Sequence, residues 1–128
     1  GVVMNEMETV LKQLLRNLDV EGWRESLRDK QFAYFLDNYL TEKRENVYHL
    51  LVKNIGTKNI ELIQEIISLL IANNVSVLNA DVNNRLPSDL VKNKYTALYV
   101  ILSEYEGREY RDAYEYRAKY EAELEQNS

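Results

Sequence analysis

The chain lacks several of the residues from which active sites and disulfide frameworks are built. It has no cysteine, one histidine, one proline and four glycines among its 128 residues. Without cysteine it forms neither disulfides nor a thiolate site. The glycines, at positions 1, 22, 56 and 107, stand far apart in the chain. The sequence therefore contains no glycine-rich phosphate-binding loop.

Long apolar runs and an excess of positive charge are missing as well. The longest apolar runs, such as residues 69–72, are far too short to span a bilayer. The formal net charge is −5, and the densest basic pair, Lys43-Arg44, is flanked by Glu42 and Glu45. Nucleic-acid-binding domains usually carry a basic face, and anionic membranes select for the same feature. We therefore expect no nucleic-acid partner and no membrane partner.

What the chain does contain is helical periodicity. Apolar residues recur at i, i+3, i+4 and i+7, which predicts amphipathic helices. No strand pattern competes with them, so the predicted fold class is all-α. The predicted helices cover residues 3–18, 23–40, 46–54, 60–72, 88–92, 95–104 and 108–126, with breaks at 19–22, 41–45, 56 and 107.

The only proline stands between two of these helices, in the stretch "VSVLNADVNNRLPSDLV". Proline has no N–H to donate and a fixed φ, so Pro87 suits the first turn of a helix. Asn83 and Asn84 precede it as turn residues. Upstream, Asn73-Asn74 is predicted to stop the fourth helix, because asparagine tolerates the left-handed conformation. Residues 75–84 are then expected to be extended or turn-like.

This pattern of helix, turn and proline resembles the ankyrin repeat family, whose turn and two antiparallel helices recur about every 33 residues with a Thr-Pro-Leu-His signature. An earlier copy fits residues 46–51, where His49 stands at the signature histidine. The later copy comprises Leu69-Leu70-Ile71, Asn74 and Asn84 at two glycine positions, Val77, Asp81 and Leu86-Pro87-Ser88-Asp89-Leu90-Val91.

The two copies are 40 positions apart, from Asn46 to Leu86, which is longer than the family's period. The extra residues are expected inside the helix over 60–72, near residues 65–68, and in the turn at 54–58. The resemblance implies one helical domain over residues 1–128. Residues 1–45 form N-terminal helices, residues 46–106 the ankyrin-like repeats and residues 107–128 a C-terminal helix, with both flanks capping the stack.

Candidate chemistry is sparse. His49 has no nucleophile or second ligand in view, and the resemblance makes it a structural residue that hydrogen-bonds between repeats. Residues 81–92 are similar to a calcium loop but have Leu86 where glycine is required and Lys92 where glutamate is required. We therefore expect no catalytic residue, no metal and no cofactor.

Seven of the ten tyrosines lie between positions 95 and 120. Tyrosine buries its ring and keeps its hydroxyl wet, so the simplest interpretation is a final helix that covers the core. A partner-binding surface and phosphorylation sites are the two alternatives.

The resemblance implies a non-enzymatic protein–protein interaction module, whose partners meet the finger-like turns and the concave face of the short helices. No small-molecule substrate is expected. The alternative is a structural or oligomerisation scaffold within a larger protein, enzymatic or effector. The expected location is cytoplasmic, or the host cytosol for a secreted effector. The implied partner-binding residues are Glu45, Lys53, Asn54, Ala80, Val82, Asn83, Arg85, Asn93 and Lys94.

Overall fold

The computed structural model describes residues 2–56 and 59–127, excepting the side chains of residues 2–5. Over that part of the chain the protein is all-α, as predicted, and contains no β-strand. None of its helices is both long and apolar enough to cross a membrane. The elements are α1 (Val2–Asn17), α2 (Val20–Leu27), α3 (Lys30–Asn38), α4 (Val47–Lys53), α5 (Ile60–Ala72), a 3-10 helix (Pro87–Leu90) and α6 (Thr96–Gln126).

The predicted helix over 23–40 is two helices, α2 and α3, so that prediction was wrong. Asp29 divides them, because its side chain accepts a hydrogen bond from the Gln31 N–H at 2.9 Å and so caps the start of α3. Asp19 caps α2 in the same way through the Glu21 N–H. A capping aspartate satisfies an N–H that has no partner within the helix. Gly22 lies inside α2 and is not part of the break.

Asparagine, rather than glycine, ends the helices in the middle of the chain. α4 ends at Lys53, and Gly56 does not take a left-handed φ, so the predicted stop at Gly56 was wrong. α5 ends as predicted, with Asn74 at φ 58°. The Asn74 N–H donates to the Ile71 carbonyl and the Val75 N–H to the Leu70 carbonyl, each at 3.0 Å. These two bonds form a Schellman cap.

One hydrophobic core runs from α1 to the first half of α6. α2 packs against α5, α3 packs against α1 and α2, and the 3-10 helix packs against α4 and α6. Trp23 is fully buried and donates from Nε1 to the Leu14 carbonyl at 3.2 Å, which ties α2 to α1. The N-terminal helices therefore cover the α5 side of the core. The predicted turn at 54–58 lies partly outside the described residues, at positions 57 and 58.

α6 is a single helix, and the break predicted at Gly107 is absent. A side chain at Gly107 would meet nothing within 4 Å. One exposed glycine costs a helix only about 1 kcal/mol relative to alanine, which is too little to end it here. Beyond Glu109 every described side chain is exposed, including those of Tyr110, Tyr114, Tyr116 and Tyr120.

The prediction that the final helix covers the core was therefore wrong for the second half of α6. Of the seven tyrosines between positions 95 and 120, only those at positions 95, 99 and 105 pack against the core. The second half also carries tyrosines, but it lacks the apolar run of residues 97–102, and none of the described elements covers its rings.

Candidate binding site at two stacked turns

Residues 41–45 form a turn, here called turn A, that is closed by hydrogen bonds. The Thr41 N–H donates to the Glu45 carbonyl at 3.0 Å, and the Arg44 N–H donates to the Thr41 carbonyl at 2.9 Å. The Thr41 hydroxyl oxygen accepts from the Glu45 N–H at 3.1 Å. Arg44 takes a left-handed φ of 60°. The sequence predicts only a charged loop here.

Residues 81–85 form turn B, which repeats the plan of turn A. The Asp81 N–H donates to the Arg85 carbonyl, and the Asn84 N–H donates to the Asp81 carbonyl, both at 2.9 Å. The Asp81 carboxylate accepts from the Arg85 N–H at 2.9 Å. Asn84 has φ 59°. Each hydrogen bond of turn B thus corresponds to a hydrogen bond of turn A between residues 40 positions earlier, which is the spacing expected from the sequence.

The short helices that follow the turns repeat as well. The Asn46 N–H donates to Nδ1 of His49 at 3.0 Å, and the Leu86 N–H donates to the Asp89 carboxylate at 2.8 Å. Both acceptors stand three residues after the residue that precedes the short helix, Asn46 or Leu86. The buried positions also match, with 47, 48 and 51 in the first unit and 87, 88 and 91 in the second. The units differ in helix type, α in the first and 3-10 in the second.

Hydrogen bonds stack the two turns against each other. The Val82 N–H donates to the Lys43 carbonyl at 2.9 Å, and the Asn79 amide donates to the Arg44 carbonyl at 2.7 Å. The His49 Nε2–H donates to the Arg85 carbonyl at 2.8 Å. These bonds span 35 to 39 positions of the sequence. Turns A and B therefore form one rigid edge.

His49 has the structural role expected of it. It is fully buried, and burial lowers the pKa of its imidazole despite the hydrogen bond to the Arg85 carbonyl. The neutral ring accepts at Nδ1 and donates at Nε2, so both nitrogens are used. A ring with no free nitrogen is not available as a general base or as a metal ligand.

Two carboxylates of the edge are already paired. Burial opposes ionisation of Asp81, but the N–H groups of Arg85 and Asn83 and the Arg85 guanidinium hold its pKa below the usual range. Glu45 is buried and ion-paired with Lys53. Glu45, one of the predicted partner-binding residues, therefore supports Lys53 rather than presenting its own carboxylate.

The other predicted binding residues reach solvent to different degrees. Lys53, Asn54, Val82, Asn83, Asn93 and Lys94 are exposed, and Ala80 and Arg85 are half-buried. The hydrogen bonds and ion pairs bring Lys53, Val82, Asn83 and Arg85 together around the turns. No described hydrogen bond or ion pair links Asn54, Asn93 or Lys94 to them. These three residues lie at the ends of the short helices or just beyond them.

A groove beside turn A has no counterpart in the sequence predictions. It encloses about 1360 Å³ between α1, α3 and residues 40–45. Tyr34 is 72% exposed and Leu40 is 45% exposed, although both are large and apolar. Tyr39 donates to Glu8 at 3.3 Å, and burial, together with the Glu8 charge, raises the pKa of Tyr39. The groove is lined by Met7, Glu8, Lys30, Gln31, Tyr34, Phe35, Asn38, Tyr39, Leu40, Thr41, Glu42, Lys43 and Glu45.

The clearest sequence signal for the groove is Tyr34, which falls off the apolar face of its helix and so has no core position to fill. Within the described residues no group of three or more histidine, aspartate or glutamate side chains is placed to hold a metal ion. Comparison of the chain with protein-family models, with curated proteins and with solved structures gave no significant match.

Proposed function

We propose that the chain is a protein–protein interaction module, in which residues 46–106 form two degenerate ankyrin-like repeats. The observation that carries this proposal is the contrast within the stacked turns. Their backbones are held by hydrogen bonds from several sides, whereas Val82 and Asn83 at the tip of turn B are exposed. Val82 leaves 56% of its surface in water, although it is apolar.

A rigid edge with exposed tips suits binding on physical grounds. Binding residues often stand on loops held by a rigid scaffold, because a preorganised loop loses little conformational entropy when the partner docks. The neighbouring groove adds apolar and aromatic surface beside turn A. Together the turns and the groove form an extended surface with an apolar centre and a polar rim, the usual anatomy of a protein interface.

The charges around the turns indicate the kind of partner. The chain as a whole is acidic, but the exposed cations near the turns and short helices outnumber the exposed anions there. The cations are Lys43, Arg44, Lys92 and Lys94, and the anions are Glu42 and Asp89. The buried carboxylates Glu45 and Asp81 are neutralised by their own ion pairs. The proposed partner is therefore a protein segment that combines acidic and apolar side chains.

Peptide selection tests the proposal directly. The folded chain is used to select binders from a random displayed peptide library, and their affinities are measured by fluorescence polarisation. We expect the selected peptides to be acidic and apolar. We expect the double variant Lys43→Glu with Val82→Asp to bind them at least about tenfold more weakly, a loss of about 1.4 kcal/mol.

The matched control is Arg28→Glu with Leu62→Asp, which makes the same charge changes on exposed positions of other elements. Both variants are first checked for wild-type thermal unfolding. Equal affinity for the two variants, or a selection that yields no binder, would contradict the proposed surface.

A second function, a structural scaffold that associates with itself, is favoured by one observation, the fully exposed second half of α6.

A further inference from the structure

The second half of α6, residues 110–126, projects from the core and is here called the α6 extension. Every one of its side chains is exposed. At 1.5 Å per residue it extends for about 25 Å. An isolated helix of this length is marginal in water, and helical stability in proteins comes mostly from packing of an amphipathic face. The extension therefore has a face that the rest of the monomer does not cover.

That face continues the buried face of the first half of α6. Leu98, Leu102 and Glu106 are buried at steps of four residues. Residues three or four positions apart lie on the same side of a helix. Counting on from Glu106 in such steps, the residues of the extension on this side are Ala113, Tyr116, Tyr120 and Leu124, a row here called the stripe.

The three large side chains of the stripe are between 52% and 75% exposed. The same side of one helix thus packs in the core over its first half and lies uncovered over its second. A row of large apolar and aromatic groups on an otherwise charged helix is typical of an association surface.

The charges of the extension indicate how a partner helix would lie. In its first part, residues 110–119, Arg111, Arg117 and Lys119 outnumber Asp112 and Glu115 by one charge. Residues 120–126 contain three glutamates and no cation. If two copies lay antiparallel, each acidic end would meet the basic part of the other helix. If they lay parallel, the two acidic ends would repel each other. Charges that flank the apolar seam set partner choice and orientation in paired helices.

The stripe fits the same arrangement in shape. An antiparallel pair centred at residue 118, the middle of the extension, places Tyr116 of one copy opposite Tyr120 of the other and Ala113 next to Leu124. A small side chain then faces a large one in two symmetric layers, which is how packed cores avoid voids and clashes. Self-complementarity of this kind is what a two-fold interface between identical chains requires.

We propose that the α6 extension is a homodimerisation element, in which two copies of this chain pair antiparallel through the stripe. The interface is separate from the stacked turns, so this inference does not depend on the proposed partner-binding surface. Because the stripe covers only residues 113–124, fewer than two heptads, the dimer is weak and reversible. Added salt weakens it, because the exposed charges are screened.

Sedimentation equilibrium of the full chain over a wide concentration range tests the association. Tyr116→Ala with Tyr120→Ala removes the large groups of the stripe and keeps residues that favour helix. We expect it to raise the dissociation constant by at least about tenfold. The control is Tyr110→Ala with Tyr114→Ala, which makes the same substitutions at exposed positions of the extension outside the stripe. It should dimerise like the wild type.

Cysteine cross-linking tests the orientation, and the natural chain has no cysteine to interfere. A mixture of Ala113→Cys and Leu124→Cys chains should form a mixed disulfide under oxidation, whereas Leu124→Cys chains alone should not cross-link to one another. Efficient Leu124→Cys dimers would instead show a parallel pair. A wild-type chain that stays monomeric, or a dimer that the stripe variant leaves unchanged, would also overturn the proposal.

Discussion

The two turn-and-helix units show the same hydrogen-bond plan built from different residues. Thr41 and Asp81 share only a side-chain oxygen that accepts an N–H four residues later. His49 and Asp89 share only an acceptor atom for the N–H three residues earlier. Each position thus requires an acceptor atom in the right place rather than one residue type. The sequence similarity between the units is weak for this reason.

The units differ in how they are held to the rest of the molecule. In the first, Tyr48 is fully buried and its hydroxyl donates to the Val75 carbonyl at 2.5 Å. In the second, Ser88 stands at that position, and its N–H and hydroxyl donate to Glu106 of α6 at 3.0 and 2.5 Å. The first unit therefore uses a neutral phenol in the interior, whereas the second uses a buried carboxyl group. This difference makes their stabilities respond differently to mutation and to pH.

The largest expected effect comes from His49→Ala, which breaks the first unit and its link to the second. The substitution leaves a cavity and removes the partners of the Asn46 N–H and the Arg85 carbonyl. We expect a loss of about 2–4 kcal/mol in the free energy of unfolding, measured with urea. Asp89→Ala at the matching position should cost about 1 kcal/mol or less, because Asp89 is exposed. Equal losses would contradict the assigned bridging role of His49.

The pH dependence of stability should distinguish the second unit. Burial raises the pKa of Glu106, although the hydrogen bonds from Ser88 oppose this. The folded state then holds the proton more tightly than the unfolded state. The stabilising contribution is complete below the unfolded pKa of about 4.3 and is lost as the pH rises through the folded pKa.

We therefore expect the variant Glu106→Gln to gain stability relative to the wild type between pH 4 and pH 7, by about 1 kcal/mol for each unit of raised pKa. Urea unfolding at several pH values measures this difference. The variant Glu104→Gln, at an exposed position of the same helix, is the control and should show no such trend. A difference between Glu106→Gln and the wild type that does not change with pH would refute the assignment.

A smaller effect, of opposite sign, is expected at the left-handed residues of the two turns. Arg44 has φ 60°, a left-handed backbone conformation that is unfavourable for a residue with a Cβ atom. Glycine adopts this conformation without strain and would keep the hydrogen bond from the residue 44 N–H to the Thr41 carbonyl. Arg44→Gly should stabilise the chain by about 0.5 kcal/mol. Asn84→Gly should gain less, because asparagine tolerates this conformation. Thermal unfolding compares the two, and Lys43→Gly, which should destabilise, is the control.

The smallest effect is expected for deletion of residues 111–128. Because the side chains of residues 111–127 are exposed, the free energy of unfolding at a monomeric concentration should change by less than about 0.5 kcal/mol. A deletion that starts at residue 105 should instead unfold the chain, since it removes Glu106 and Glu109. Glu109 accepts from the Ser76 hydroxyl and the Val77 N–H at 2.6 and 2.5 Å. A large loss for the shorter deletion would show that the extension packs on the core.

Much of the helical layout was predictable because its signals are local. The stop at Asn74 and the start at Pro87 depend on the φ that each residue tolerates, and both are found as predicted. The division at Asp29 was missed because the apolar pattern continues across it. The break expected at Gly107 is absent because its neighbours favour helix and its surroundings are open.

The candidate site was predictable only in part. The resemblance directed attention to Val82 and Asn83, which the structure exposes at the tip of turn B. It did not indicate that Glu45 is buried, because the partner that buries it, Lys53, is eight residues away on the next helix. The groove was missed because residues of three separate elements line it. The periodicity of a sequence predicts single helices, but it does not predict which helices lie next to each other.

The sequence by itself determined the helical class, the helix stop at Asn74, the helix start at Pro87 and the 40-residue spacing of the two units. These depend on backbone preferences and on contacts within a few residues. Only the tertiary structure decided which apolar faces are covered. Tyr105 and Tyr116 stand on one continuous helix, but the ring of Tyr105 packs against the core and that of Tyr116 is exposed. Whether a side chain is buried depends on which other elements pack against it, and the order of residues along the chain does not specify those tertiary contacts.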